Sequence, residues 1–497
     1  MVPRTPGRST GGMTPPRLTL PRWAPAPEFL VFGTFVLTLV GGGAWWLLRG
    51  DIRGLLPGLG ILALTIILLD WRLVFYLFLF TLGFAHEFQL PGGLAMDVPS
   101  EPLMLVLMAC VALALLFRQQ ELTTREWQHP LLALLLLQLL WAGASTLTSV
   151  DTVKSVKFLL AKLWYLIPFV LGTLLLLRKP AKLWQLSGIY TLSACLTVVY
   201  TVVRHAGTGF GFASIHPALQ PFYRNHVAYA TVLALLLPYA LYGAQAALPG
   251  RTRRAWQVAI VLLFFGLITS YTRASFLSLP AAAGFYLVLR WRQTRRLLMG
   301  IAVAAVAAGS YFAYQSNFMR YAPDFEQTVF NGQNFEKHLE ATYELKDVSG
   351  MERLYRWIAA ARMAHEKPWL GSGPSTFYPE YKRYTIKGFR TYVSDNPERS
   401  TTHNYFLLLL AEQGVPGCAL FALVVGTALL LVERLYHRSA RPEHRRLVLA
   451  AGLSFFIIVF HLLLNELVEV DKIGSFFFIA LAALMRLDVT IPEKESC

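Results

Sequence analysis

Arg273 interrupts an otherwise apolar run from Val258 to Leu289, in the stretch Tyr271-Thr-Arg-Ala-Ser275. A run that long reads as two short membrane spans with Arg273 at the turn between them. A cation at membrane depth is a functional candidate by default, the ordinary alternative being an arginine that snorkels to headgroups. A second place is Pro221-Phe-Tyr-Arg-Asn-His-Val-Ala228, which opens another apolar run. Arg224 and Asn225 lie there beside a helix N-terminus able to attract an anion, or act simply as an anchor and a cap. In Met351-Glu-Arg-Leu-Tyr-Arg-Trp357, helical spacing puts Arg353 and Trp357 on one face with Arg356 flanking Arg353. Pro368 and Gly371-Ser-Gly373 follow, a turn open to close approach by a ligand or an ordinary surface turn. Last, Thr401-Thr-His-Asn404 precedes an apolar run, and the threonine pair reads as the cap of a helix starting at His403. One imidazole then stands at a positive helix end, beside Asn404.

These residue types define a narrow chemistry. Guanidinium forks match phosphate oxygens, and a neutral imidazole is the side chain best suited to take a proton near neutral pH. Neighbouring arginines and a helix N-terminus each depress the pKa of His403, which keeps it neutral. Competing constellations are missing from the sequence: no phosphate-binding glycine loop, no Gly-x-Ser-x-Gly elbow, no HExxH, no Cys/His metal spacing and no paired intramembrane carboxylates. We therefore expect no metal and no cofactor. Cys110, Cys195 and Cys418 lie in apolar runs and Cys497 ends the chain, a pattern that predicts no disulfides.

The elements that position these residues follow from composition. Of 497 residues, 55% are hydrophobic and only 15% charged, too apolar for a set of soluble domains. Runs such as Phe29–Leu48, Leu131–Leu147, Val227–Ala247, Val258–Ile268, Ile301–Ala313 and Leu447–Leu464 predict an all-α polytopic membrane protein of roughly 12 to 14 transmembrane helices. The net charge of +16 is spread in short clusters between spans, which excludes a nucleic-acid-binding face and assigns topology instead. Arg178–Lys182, Arg251–Arg254, Arg290–Arg296 and Arg434–Arg446 mark cytoplasmic connections. The connections between them, including the acidic Asn465–Lys472, then face the periplasm. The resulting organisation is a basic cytoplasmic leader (1–28) without a signal-peptide cleavage site, a transmembrane bundle (29–314), a large, mainly helical periplasmic loop (315–402), C-terminal spans (403–487) and a cytoplasmic tail (488–497). A shorter periplasmic segment, about Arg204–Arg224, is glycine-rich and folds back towards the membrane.

Taken together, His403-Asn404 with Leu408, Glu412, Gly414 and Gly417, the Arg353-x-x-x-Trp357 helix leading to Pro368 and Gly371-Ser-Gly373, Thr272-Arg273 at a span junction, and Asn225-x-x-Ala228 before Pro238 resemble the motifs of the O-antigen ligase and polymerase superfamily. The likeness runs from about residue 220 to 430. It implies a GT-C-like membrane glycosyltransferase that needs no metal and acts in the bacterial inner membrane, with its active site facing the periplasm. The donor it implies is a glycan on undecaprenyl diphosphate. For ligases the implied acceptor is the lipid A–core oligosaccharide, so that the product is mature lipopolysaccharide. Polymerases and protein O-oligosaccharyltransferases of the same superfamily are the alternatives within that resemblance, and a lipid-linked sugar flippase is the alternative outside it. With such a donor, Arg273 and Arg353 are expected to clamp the leaving diphosphate. Arg224, Asn225, Arg356 and Asn404 bind substrate, and His403 is the base for direct, inverting attack.

Overall fold

A computed structural model describes residues 70–90, 94–117, 121–314, 348–386 and 400–492, with isolated positions at 33, 37, 41, 45, 394 and 396. The expected leader, most of the Phe29–Leu48 span, residues 315–347 of the large loop and the last five residues lie outside the described set. Two compact units are distinguished, residues 1–74 with 112–121, and residues 75–111 with 122–497. The account below concerns the second.

The chain is an all-α polytopic membrane protein. Among the described residues eight helices are long and apolar enough to cross a membrane. They are α3 (Pro130–Leu147), α4 (Thr152–Leu176), α5 (Lys182–Ala206), α7 (His226–Ala246), α10 (Thr294–Ala313), α13 (Tyr405–Arg438), α14 (Pro442–Leu462) and α15 (Asp471–Thr490). Four further apolar helices are shorter or carry arginines at their ends: α1 (Trp71–Leu82), α2 (Ser100–Leu116), α8 (Arg251–Ile268) and α9 (Arg273–Arg290). Helix is the form that satisfies every backbone group within one segment, which is why apolar runs in lipid adopt it. Interior prolines in α7, α9 and α13 and a π-helical turn at Ile167–Gly172 are accommodated in these long runs. Outside the spans stand a short α6 (Ile215–Leu219), α11 (Val348–Glu366) and α12 (Phe377–Glu380). The one sheet among the described residues is an antiparallel hairpin, β1 (His86–Leu90) with β2 (Leu94–Val98), in register His86 to Val98.

The most buried spans are α7, α14 and α15, with α8, α9 and α13 packed around them and α3 and α11 against α13. Helix α13 is broken at Gly414, whose backbone is left-handed (φ +70°). The break frees carbonyls, and the segment after α11 bonds to them. Ser372 N–H donates to Ala411 O at 3.1 Å, Gly373 N–H to Glu412 O at 2.8 Å, and Val415 N–H to Pro368 O at 2.8 Å. The Glu412 carboxylate, buried below, accepts the amides of Ser375 and Phe377 at 2.8 and 2.9 Å. Trp141 Nε1–H closes the far side on Gln413 O at 2.9 Å. The Gly371-Ser-Gly373 turn therefore makes its close approach to the backbone of α13, where the sequence offered approach by a ligand or an ordinary surface turn. Both glycines have positive φ, and a Cβ on Gly371 would lie 2.3 Å from the carbonyl carbon of Glu412.

Candidate active site

Residues 401–404 make a tight turn ahead of α13, and His403 is at its apex with φ +53°. For a residue other than glycine this left-handed conformation costs on the order of 1 kcal/mol, so the surrounding structure must hold it there. Asn404, not the threonine pair, caps the helix, which begins at Tyr405 and not at His403. Its Oδ1 accepts Leu407 N–H at 3.0 Å, and its Nδ2 donates to Leu463 O at 3.0 Å. The Thr402 hydroxyl closes the turn instead. It lies 2.7 Å from Asn404 O and 3.1 Å from Glu466 Oε1, and accepts Asn404 N–H at 3.2 Å.

Helix α11 grips the strand leading into this turn. Trp357 Nε1–H donates to Thr402 O at 2.8 Å, and Arg356 Nη1 to Thr401 O at 3.3 Å. Arg356 is itself buried in an ion pair with Glu352 at 3.1 Å, and Glu352 also accepts the Ser394 hydroxyl. Its guanidinium is thus bonded within the protein, whereas the sequence made it a substrate contact. Arg353, one position from Glu352 on the same helix, is half-buried. Burial first, then the charges of Arg356 and Arg353, pushes the His403 pKa down to about 3. Its imidazole is neutral and within electrostatic reach of both guanidinium groups, as suits an acceptor of protons in a site that also attracts anions.

The other predicted residues lie on neighbouring elements. Arg273 is the first residue of α9 and half-buried; α8 ends at Ile268, so the long apolar run does break in two at this arginine. Thr272 donates its hydroxyl to His226 O at 3.2 Å, which ties the start of α9 to the start of α7. Asn225 caps α7, its Oδ1 accepting Ala228 N–H at 2.9 Å. Arg224 lies on the hairpin, paired with Glu87 at 2.7 Å and Asp97 at 3.5 Å. Arg353, Arg356, His403 and Asn404 therefore converge on one turn, and Arg273 stands with Asn225 at a second junction.

Residues 258–422 match the family model described as O-antigen ligase. The match supports membership of the O-antigen ligase superfamily. No curated protein matches it significantly. The matched segment contains Arg273, Arg353, Arg356, His403 and Asn404 and leaves Arg224 and Asn225 outside. That family is a glycosyltransferase-like superfamily of membrane enzymes, and likeness to it implies a lipid-linked glycan substrate.

Two features of this O-antigen ligase domain and its surroundings were not legible in the sequence. One is Glu466, which reaches the His403 turn from 64 residues beyond Thr402. Burial raises its pKa, against hydrogen bonds from the Thr402 side chain and the His403 backbone. The acid-rich composition of Asn465–Lys472 is the local signal, and by itself it speaks to topology alone. The other corrects an expectation. The sequence predicts no carboxylate cluster, yet Asp97, Glu101 and Asp471 bring ligand oxygens within 4.8 Å of one another, close enough to hold a cation. They come together because a hairpin, α2 and α15 converge there. Asp471 is already bonded by Ser100 at 2.6 Å and Tyr165 at 2.7 Å. Next to it Lys472 donates to the carbonyls of Gly83, Ala85 and Phe222, fastening α15 to the end of α1 and the approach to α7.

Proposed function

We propose that this protein transfers O-antigen polysaccharide from undecaprenyl diphosphate to a hydroxyl of the lipid A–core oligosaccharide, at the periplasmic face of the inner membrane. The observation that carries the reading is the neutral imidazole of His403, held in a left-handed turn against Arg353 within the family domain. A sugar hydroxyl is far too weakly acidic to attack unaided, so a positioned base takes its proton. A lipid diphosphate departs once its developing negative charge is stabilised, and guanidinium groups offer fixed, bidentate donors for that charge. In the reaction the acceptor oxygen bonds to the anomeric carbon, His403 accepts the hydroxyl proton, and the carbon–oxygen bond to the diphosphate breaks with inversion. Arg353 and Arg273 receive the leaving group. Arg224, Asn225 and Asn404 act more distantly, by framing the mouth and capping helices. The periplasmic orientation draws support from the arginine clusters at alternate connections, with residues 315–402 as the domain on that side.

Arg353→Ala and Arg273→Ala test the clamp. Each is expected to lower transfer by about 10²-fold or more while the protein still purifies folded, as loss of a charge-assisted contact to a developing anion does. Lysine at either position recovers little of the lost rate, because a point charge cannot replace a planar fork. Alanine variants with near-parental turnover would remove the arginines from the chemistry.

A further inference from the structure

The turn bearing His403 is held from below by a segment well separated in sequence, the end of α14 and its connection to α15. Asn404 donates to Leu463 O, Thr402 meets Glu466 Oε1 at 3.1 Å, and the Tyr405 hydroxyl donates to Glu469 Oε1 at 2.9 Å. The residue before His403 and the two after it are therefore each tied to this one connection. Glu469 is in turn fixed to α4, by Lys162 Nζ at 2.5 Å and by the Tyr165 hydroxyl on its carbonyl at 3.3 Å.

The same end of α14 also holds the helix that starts with Arg273. His461, fully buried, has Nδ1 at 2.9 Å from Ile457 O and Nε2 at 2.9 Å from the Ser275 hydroxyl. A carbonyl only accepts, so Nδ1 carries the proton and Nε2 accepts from Ser275. Ser275 is two residues from Arg273, and His461 two residues from Leu463. One helical turn thus bonds the start of α9 on one side and the His403 turn on the other. A leucine would pack this buried position as well as an imidazole does; what the imidazole adds is a directional bond with a unique geometry.

We propose that the end of α14 together with its connection to α15 is the positioning element of the active site: through Glu466 and Glu469 it fixes His403, and through His461 and Ser275 it fixes Arg273, so that it sets the distance between base and phosphate clamp. The inference rests on the roles of His403 and Arg273 given above. Neither Glu466 nor His461 touches substrate in this scheme; each acts through the residue it holds. Because a displacement of about 1 Å can cost on the order of 10²-fold in rate, such bonds should be visible in turnover.

The test uses the full-length protein in detergent, with undecaprenyl-diphosphate oligosaccharide as donor and lipid A–core as acceptor. Thr402→Val, which keeps shape but loses the hydroxyl, and Glu466→Ala are expected to lower kcat about 10- to 10²-fold with donor KM near the parental value. Thr402→Ser and Glu466→Gln, which keep the hydrogen bond, recover most of that loss. Ser275→Ala is expected to raise donor KM, and Ser275→Thr to restore it. If Glu466→Ala does not fold, Thr402→Val decides. A purely structural role predicts lower yield with parental specific activity in the folded fraction, and that result would overturn the proposal. Parent protein and His403→Ala run alongside: a parent without transfer sinks the functional reading, whereas an active parent, an inactive His403→Ala and a fully active Thr402→Val sink this inference alone.

Discussion

A histidine whose pKa has been pushed to about 3 is neutral at any physiological pH, but it is also a weak base for a sugar hydroxyl. On the proposed mechanism the donor resolves the conflict: a diphosphate bound against Arg353 would bring negative charge to the place where positive charge depressed the imidazole, and so raise its basicity when it is needed. The acid limb of kcat/KM reports the free enzyme and that of kcat the complex, so the limb of kcat is expected at the higher pH. Superimposed limbs would contradict this account. His403→Ala should lower kcat by about 10²- to 10⁴-fold and abolish the acid limb, with donor affinity retained. Stability has its own sign: the folded pKa is below the unfolded 6.5, so the unfolded chain binds the proton first. His403 therefore weakens the fold progressively as pH falls from 6.5 towards about 3. At this scale the sequence was readable for position: Arg273 does stand where the long apolar run breaks into two helices, and Arg353 does share a helix with Trp357. It was not readable where a side chain's partner is remote: the Glu352–Arg356 pair has local i, i+4 spacing, but nothing local tells that Arg356 also reaches Thr401 O, or that Glu466 reaches Thr402.

Among the elements, the broken helix α13 determines how the site is mounted. The turn just ahead of it carries His403, the proposed base, and its kink at Gly414 receives the segment that follows α11, so the two elements carrying His403 and Arg353 are joined twice, at the Thr401–Thr402 carbonyls and at the kink. Gly371→Ala should unfold this junction, since its Cβ would meet Glu412 and Gln413 backbone at 2.3 to 2.5 Å in a left-handed conformation. Gly350→Ala, in the first turn of α11 with open space around it, should be neutral or stabilise by up to about 1 kcal/mol. Thermal unfolding of the two purified variants reads the contrast, and equal midpoints would refute the junction. The sequence offered Gly371-Ser-Gly373 as a close-approach turn, yet not that it answers a kink at Gly414. Hydrogen-bond demand created by a kink appears only when the chain is folded.

For the molecule as a whole, hydropathy conveyed the architecture because a bilayer leaves an apolar run few choices other than helix. It did not convey burial: α7 and α10 both read as apolar spans in sequence, but α7 is enclosed by its neighbours and no residue of α10 from 295 to 312 is buried. It was also silent on the polar convergence of Asp97, Glu101 and Asp471, drawn from three separated segments. That trio makes the role of divalent cations an experimental matter, and the central claim can be tested together with it. The measurement is a reconstitution of the purified full-length protein with undecaprenyl-diphosphate glycan and lipid A–core in EDTA. The predicted result is a new glycosidic bond of inverted configuration on the acceptor, released undecaprenyl diphosphate, and no gain on adding magnesium. Glycolipid carried across proteoliposomes with no new bond, or transfer that appears only when magnesium is restored and vanishes in Glu101→Gln, would contradict it.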